Sequence, residues 1–553
     1  MDVKNLHKQF CHESWDEKGV ISGFEIVCPD HFNFAYDVVD VIAKAEPQRR
    51  AMLWCNEEGE EHTFTFGDMK KYSDKTANML LKHGVKKGDK VLLILKRHYE
   101  FWFTILALHK IGAIAIPATN LLTTKDIIYR LQSASISAVV CTADGDLTDY
   151  VDEAQKSCPE LVTKFIVRGE KQGWLSYRDE MEAASEELAR IENSKLDDML
   201  LYFTSGTAGY PKMVVHNYAY PLAHIMTAKY WHNVDPDGLH LTVAETGWAK
   251  AVWGKLYGQW LMAAGIFVYD FEKFSPDKIL EKIEQYKITT FCAPPTIYRF
   301  FIKEGMGGYD LSSLKYATVA GEALNEEIYK QFYDKTGLRL MEAYGQTETT
   351  VTVANFLGAD IKVGSMGKES PMYDVKLVNA NDEPVGVGEV GEIVLHTTDE
   401  LQIGMFKGYY RDEELTKRAW HNNYYHTGDT AYKDEDGFFW YVGRTDDLIK
   451  SSGYRIGPFE IESVLMEHPA VLECAITGVP DPVRGQVVKA TIVLTKKYAP
   501  SDELAKELQN FVKKATAPYK YPRVVEFVTE LPKTISGKIR RVEIREKDKQ
   551  KQL

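Results

Sequence analysis

Chemistry is most concentrated in Tyr202-Phe203-Thr204-Ser205-Gly206-Thr207-Ala208-Gly209-Tyr210-Pro211-Lys212, a segment that follows the apolar residues Met199, Leu200 and Leu201. Glycines let backbone N–H groups approach an anion closely, the hydroxyls of Thr204, Ser205 and Thr207 add donors, and Lys212 supplies a cation. That set of groups suits phosphate. The segment is not the common G-x-x-x-x-G-K-[ST] loop, because neither Ser nor Thr follows Lys212 and the glycine spacing differs. A flexible surface turn, the bland alternative, would not require so many specified residues in so short a stretch.

The loop resembles the phosphate loop of the adenylate-forming superfamily, which includes acyl-CoA synthetases, luciferases and peptide-synthetase adenylation domains. Further motifs of that superfamily follow in order over about 200 to 541, so the resemblance covers nearly the whole chain. It implies ATP, Mg2+ and coenzyme A as cofactors and co-substrates, a carboxylic acid as substrate, and an acyl-adenylate intermediate. Ala320-Gly321-Glu322-Ala323 and Glu342-Ala343-Tyr344-Gly345-Gln346-Thr347-Glu348-Thr349 each follow a strand-like stretch. A purine base needs a flat apolar slot, and Tyr344 can form one wall with the backbone of Gly321, Glu322 and Ala323 as the other. Glu342, Ala343, Gly345 and Gln346 complete this nucleotide segment. Magnesium takes hard oxygen ligands, which Thr347 and Glu348 offer directly or through water. Asp429, in Tyr425-His426-Thr427-Gly428-Asp429, resembles the family's ribose ligand, and Arg444, in Gly443-Arg444-Thr445-Asp446-Asp447, resembles the residue that holds the same nucleotide. A turn cap or an ion pair between the two is the structural alternative.

In Pro532-Lys533-Thr534-Ile535-Ser536-Gly537-Lys538-Ile539-Arg540, the resemblance assigns Lys538 as the catalytic lysine that stabilises negative charge while carboxylate oxygen attacks the α-phosphorus of ATP. The family pivots at the position matching Asp446, and the pivot exchanges the Lys538 face for one carrying Ser452, Gly453, Tyr454 and Arg455. Gly453 would let a pantetheine arm pass close to backbone, and Arg455, Arg484 and Arg523 are candidate partners for CoA phosphates. Each of these arginines alone reads equally well as a solvated charge.

The closest subfamily by resemblance is the medium-chain acyl-CoA synthetases, on Ser452-Gly453-Tyr454-Arg455-Ile456-Gly457-Pro458, Met466-Glu467-His468-Pro469-Ala470-Val471 and Ala517-Pro518-Tyr519-Lys520-Tyr521-Pro522. Acetate-specific relatives carry a tryptophan where Gly345 stands, so the expected pocket takes short- to medium-chain acids longer than acetate, branched ones included, with Trp248 as another wall. Two departures from the family pattern stand out. Ala208 replaces a usual hydroxyl, and Lys250 and Lys255 lie where relatives tend to be apolar; both lysines are expected to face solvent, with a shortened or polarised acyl pocket as the alternative. Aryl-acid CoA ligase, carrier-protein acyl ligase and a non-catalytic nucleotide-binding regulator are the alternatives.

These residues have to be positioned by the elements around them. An Asp68-headed helical pattern (Met69, Tyr72, Thr76, Leu80) leads to the apolar run Val91 to Leu95, and the segments at 101–111, 126–134 and 276–286 each lead to another short apolar run. Helices alternating with such runs predict an α/β fold of helix-covered parallel sheets. After about 370 short alternating strands with Gly, Asn and Asp turns predict a β-rich subdomain to about 440. From 446 to 553 helices and strands alternate again, which predicts a small mobile α+β C-terminal domain behind a 1–445 adenylation domain.

The chain has 553 residues, 44% apolar and 27% charged, more than one core ordinarily holds. A formal charge of −13 offers no footprint for nucleic acid. Seven dispersed cysteines read as reduced thiols. The N-terminal residues lack a targeting pattern, and the longest apolar run, Leu256 to Phe271, is broken by Gln259 and Asp270. The expectation is a cytoplasmic protein, monomer or homodimer, without integral membrane association.

Overall fold

The computed structural model describes residues 2–204, 210–398, 400–534 and 538–551. Two large sheets dominate these residues. One has eight strands, ordered Gly408–Tyr409, Lys212–Asn217, Asp198–Thr204, Ile114–Pro117, Lys90–Ile94, Ala138–Thr142, Thr163–Val167 and Leu175–Ser176. It is parallel from Asp198–Thr204 onward and antiparallel at the Lys212–Asn217 end. The other has nine strands, and its parallel centre includes Leu340–Gly345, Tyr316–Ala320, Thr290–Ala293, Leu239–Thr242 and Gly265–Asp270. The helix-covered parallel sheets expected from the sequence are present.

Local signals set the helix boundaries. The helix that feeds Lys90–Ile94 spans Phe66–Lys82, and Thr65 caps it in a reciprocal capping box with Asp68. Asp68 is therefore the third helical residue rather than the head. Its buried stripe, Met69, Thr76, Ala77 and Leu80, faces the core. Helix Glu100–Ile111 is buried along its whole length and stops at Gly112, whose φ of +77° is readily adopted only by glycine. The Leu256 to Phe271 run divides into a short helix, Tyr257–Leu261, and a strand, Gly265–Asp270. Among the described residues no helix is long and apolar enough to cross a membrane.

Residues 374–444 form an antiparallel sheet ordered Asp374–Val378, Gly391–His396, Tyr424–Lys433 and Trp420–His421, with Phe439–Arg444 also paired to Tyr424–Lys433. The last sheet, built from Ile449–Ser451, Tyr454–Ile456, Val471–Asp481, Gly485–Leu494 and Val524–Val528, has its own apolar core of Ile461, Leu465, Ile476, Ile492, Leu508 and Val512. All seven cysteines are free thiols, and six of them are buried.

Candidate functional site

Ends of neighbouring strands bring the motif residues together. Strands Asp198–Thr204 and Lys212–Asn217 pair antiparallel with Thr204 opposite Lys212, which fixes both ends of the hydroxyl-rich loop. Ser205, Gly206, Thr207, Ala208 and Gly209 lie outside the described residues. Lys212 holds its ammonium 5.0 Å from the ring centroid of Tyr409. The Tyr409 hydroxyl donates to Glu348 Oε1 at 3.0 Å, so the loop lysine and a candidate magnesium ligand share one neighbour. On the same strand His216 Nε2 donates to the carbonyl of Thr347 at 2.7 Å. Burial lowers this imidazole to about 4, so it is neutral near pH 7 and its Nε2 carries the proton.

Strand Tyr316–Ala320 leads into Gly321, Glu322 and Ala323, and strand Leu340–Gly345 lies parallel beside it with Ala320 opposite Ala343. Glu322 is exposed and accepts from Thr296 Oγ1 at 2.9 Å. Glu342 is buried, accepts from the Leu324 N–H at 3.1 Å, and is pushed up to about 8 by desolvation. Its side chain therefore points into the wall and leaves only its backbone toward the neighbouring strands.

Asp429 is the most heavily bonded group of the site. Its Oδ2 accepts from the Tyr344 hydroxyl at 2.7 Å and from Gln346 Nε2 at 2.6 Å, and its Oδ1 accepts from the Tyr441 hydroxyl at 3.2 Å. Tyr425 in turn donates its hydroxyl to Gln346 Oε1 at 2.8 Å. Desolvation, and then the Asp429 charge, push Tyr344 well above the usual tyrosine range, so it stays a donor. Arg444 is the cross-strand partner of Asp429; its Nη1 donates to Thr427 O at 3.1 Å and lies 3.6 Å from Asp429 Oδ2, while its Nε lies 3.6 Å from Asp446 Oδ1. Desolvation lowers the guanidinium, but Asp429 and Asp446 with the neighbouring tyrosines together outweigh it and raise the group above the usual arginine range. Arg444 therefore links the candidate ribose carboxylate to the candidate pivot.

Lys538 is exposed on a hairpin closed by Thr534 N–H to Lys538 O at 2.8 Å and Lys538 N–H to Thr534 Oγ1 at 3.1 Å. Ile535, Ser536 and Gly537 lie outside the described residues. The Lys538 charge lies near enough to Lys250 to depress it, after the larger effect of desolvation. The terminal unit also touches the larger body where Asn325 Nδ2 donates to Ser463 O at 3.1 Å.

The expectation that Lys250 and Lys255 face solvent is overturned. Lys250 Nζ donates to Ala320 O at 2.6 Å, directly beside Gly321, and Lys255 is 2% exposed with Nζ donating to Ala244 O at 2.8 Å. Burial brings Lys255 down to about 7 and the neighbouring Glu245 up to about 7. Lysines within an otherwise apolar stretch were the signal: such a residue is either solvated or bonded to carbonyls, and backbone oxygens supplied the second option.

At Gly345 the structure adds a neighbour that the sequence did not name. A Cβ there would meet Trp253 Cη2 at 2.5 Å and overlap the carbonyl of Thr350. The position that admits no indole of its own is thus closed by an indole from helix Ala249–Gly254, and Trp253 bounds the space that the missing side chain was expected to leave. Trp248 caps the start of this helix, and the preceding Gly247 packs against the backbone of Ala118 and Thr119, where a Cβ would collide. Sequence reasoning missed Trp253 because nothing in the pattern reveals which of two nearby tryptophans turns toward Gly345.

The candidate CoA face is exposed. Ser452 and Gly453 both have left-handed backbone, with φ of 50° and 86°. Ser452 N–H donates to Arg484 O at 2.9 Å and Arg484 Nη1 to Ser452 Oγ at 3.3 Å. Tyr454 stacks on Tyr519 at 4.0 Å, and Arg455 is exposed beside it. Arg523 instead donates to the Tyr521 hydroxyl at 2.9 Å, so the three arginines do not share a partner.

Residues 39–410 match the family described as AMP-binding enzyme, and residues 460–538 match the AMP-binding enzyme C-terminal domain. The chain is 41% identical over 535 residues to the human mitochondrial acyl-coenzyme A synthetase ACSM3, covering 95% of this chain and 91% of the relative. It is 40% identical to human mitochondrial ACSM4, covering 99% and 96%. Among solved structures it is similar to the anthranilate CoA ligase AuaEII in complex with anthranoyl-AMP, with a TM-score of 0.86 and 28% identity over 94% of this chain and 98% of the other. A benzoate CoA ligase from Burkholderia xenovorans LB400 gives a TM-score of 0.81 at 26% identity over 93% and 100%.

Proposed function

The chain belongs to the AMP-binding enzyme family and is an acyl-CoA synthetase, and from that premise we propose that it activates short- to medium-chain acids longer than acetate, branched acids included. It uses ATP, Mg2+ and coenzyme A. In the first step carboxylate oxygen attacks the α-phosphorus, the bond to the bridging oxygen breaks, and pyrophosphate leaves. In the second the CoA sulfur attacks the acyl carbon, the acyl–phosphate bond breaks, and AMP leaves as the thiol proton passes to solvent. The observation that carries the assignment of roles is the Asp429 network: a buried carboxylate held by Tyr344, Gln346 and Tyr441, with Arg444 beside it.

In this reading Asp429 accepts from the ribose hydroxyls, with the Arg444 guanidinium 3.6 Å from its Oδ2. Tyr344 and the backbone of Gly321, Glu322 and Ala323 enclose the base. The loop from Thr204 to Gly209, with Lys212, binds phosphate. Thr347 and Glu348 would hold a magnesium ion, which would neutralise phosphate charge; their hard oxygen donors suit it. Lys538 is the catalytic cation of the first step, and the nearness of its charge to Lys250 supports that position. The terminal unit from 446 to 553 turns at Asp446 and presents Ser452, Gly453, Tyr454, Arg455, Arg484 and Arg523 to CoA; its separate core supports the division from 1–445.

The acid is read from Gly345 with Trp253 as the closing wall and Trp248 near the mouth. The anthranilate and benzoate ligases among the structural relatives favour an aryl acid as the second reading. A rate profile over acids of two to twelve carbons, branched acids and benzoate, with ATP and CoA, separates the two. The reading expects the maximum above acetate on an aliphatic acid, and a maximum on benzoate would replace it. The proposed location is cytoplasmic. The names of the relatives place those proteins in mitochondria, and a tagged chain fractionating with an organelle would overturn the cytoplasmic reading.

A further inference from the structure

We infer that Arg545 is a positioning residue for the adenylation step: with Arg541 it ties Asp447, the residue after the pivot, to the helix that follows Lys538, so that the exit of the pivot and the catalytic lysine move as one rigid piece. This rests on the roles proposed above for Asp446 and Lys538. Strand Phe439–Arg444 belongs to the sheet of the larger body, and Thr445 extends the link, its N–H donating to Gly428 O at 2.9 Å. Asp446 is exposed, and Arg444 Nε approaches its Oδ1 only to 3.6 Å, too far for a hydrogen bond.

Asp447 is held much more firmly, and from the other side. Its Oδ1 accepts from Arg545 Nη1 at 2.5 Å, and its Oδ2 lies 3.6 Å from Arg541 Nη1. The carboxylate side chain is 11% exposed, so these pairs are shielded from the screening that weakens surface ion pairs. Two adjacent aspartates therefore face opposite partners, Asp446 the body and Asp447 the terminal unit. One backbone bond, Asp447 N–H to Arg444 O at 3.1 Å, closes the turn between them. A rotation at Asp446 has to break that bond and one weak ion pair, whereas the bonds of Asp447 to the arginines travel with the moving unit.

The arginines belong to the terminal helix, Arg541–Lys551, and stand one turn apart on the same face. Arg541 also forks onto Glu462, with Nη2 2.7 Å from both carboxylate oxygens and Nε 3.2 Å from Oε1; Glu462 Oε1 in turn accepts the Ile476 N–H at 2.8 Å. The cluster thus reaches helix Pro458–Glu467 and strand Val471–Asp481. Its two guanidinium groups are balanced by two carboxylates, which suits a brace better than a ligand site. Ile544 of the terminal helix shares a small apolar core with Ala475, Val493 and Leu531, and Ile539 packs against it. Arg540 N–H donates to Pro532 O at 2.8 Å where the hairpin bearing Lys538 runs into the helix. Lys538 is thereby a short lever from Asp447. A misplacement of about 1 Å at a reacting centre can cost roughly a hundredfold in rate, so a lever that bends costs catalysis without costing nucleotide binding.

The test is a double-substitution cycle on the full chain, read as acid-dependent pyrophosphate release. Arg545→Ala should lower kcat for adenylation roughly tenfold with the KM for ATP and the melting temperature little changed, and Arg545→Lys, which keeps one charged donor, should recover most of the rate. Asp447→Asn should reproduce the loss from the other partner. In a Lys538→Ala chain, Arg545→Ala should cost less than about a further twofold, because the lysine that it positions is gone. Full activity in Arg545→Ala, an equal loss in both backgrounds, or a loss explained by a raised KM for ATP or a lowered melting temperature would overturn the brace. Wild-type pyrophosphate release by Lys538→Ala alone would instead sink the assignment of Lys538, and the brace with it.

Discussion

The nucleotide wall and the loops of the terminal unit use opposite constructions. Around Asp429 the polar side chains are densely cross-bonded: Tyr344, Gln346 and Tyr441 on the carboxylate, Tyr425 on Gln346, Arg444 on Thr427. Around Arg484 the contacts are few and open to solvent, with Val483 89% exposed and Tyr454 50% exposed. A surface that holds one ligand through both steps gains from rigidity, because donors fixed in advance need no reorganisation. A surface that engages only after a rotation cannot be bonded to the partner it leaves. Braced side chains in one region and unbraced ones in the other therefore suit a stationary nucleotide and a moving second unit.

Lys538 is the exception, and it gives the largest expected effect. It is an exposed residue of the terminal unit whose charge contributes weakly at Lys250 of the larger body. Lys538→Ala should cut adenylation, read as acid-dependent pyrophosphate release, by roughly a hundredfold or more. Thioester formation from supplied acyl-adenylate should stay within a few-fold. Equal loss in both half-reactions would break the comparison, because Lys538 would then belong to the stationary site.

Asp429→Ala should weaken AMP binding by roughly ten- to a hundredfold, the usual range for hydrogen bonds to a charged group. It should also lower the melting temperature, since Tyr344, Gln346 and Arg444 lose their common acceptor. Calorimetric titration with AMP and a thermal melt check the two parts. A variant that melts normally and binds AMP normally would mean that the network is only a strand-pairing device.

Much of this arrangement was legible because it is local. Asp429 followed by Arg444 is a short-range pattern whose chemistry names the partner, whereas the sequence pattern places the helix start at Asp68 although Thr65 caps it. Strand order was not legible: Lys90–Ile94 lies between Ile114–Pro117 and Ala138–Thr142, and composition does not record which of several apolar strands are neighbours. The fate of Lys250 and Lys255 was misjudged for a related reason. Their acceptors, Ala320 O and Ala244 O, are backbone atoms, which no residue type advertises. Trp253 at Gly345 shows the same limit, since a contact between residues about ninety apart is set by packing.

Acid should attack the large body before the terminal unit. Burial lowers His109, His224 and His240 to about 3 and His216 to about 4. A depressed histidine contributes stability that is present above its unfolded value of 6.5 and is lost as pH falls through its folded value. Each can remove up to about 1.4 kcal/mol per pH unit between 6.5 and its folded value. The melting temperature should therefore fall steadily from pH 6.5 to 5, and His224→Phe should make that slope shallower. An unchanged slope would show that other groups set the acid limit.

The smallest effect belongs to the open face, and it bears most directly on the comparison. Arg484 makes a single side-chain hydrogen bond, at 3.3 Å to Ser452, and replacing it leaves no buried group unsatisfied. Arg484→Ala should leave the melting temperature and pyrophosphate release unchanged while raising the KM for CoA a few-fold, the scale of one solvent-exposed phosphate contact. A drop in adenylation rate would mean that this face already touches the first step, and a drop in melting temperature would mean that it is braced after all. No change in the CoA dependence, with Arg455→Ala and Arg523→Ala equally silent, would remove the arginines from the thiol side. Exposure would then be simply what an unused surface looks like.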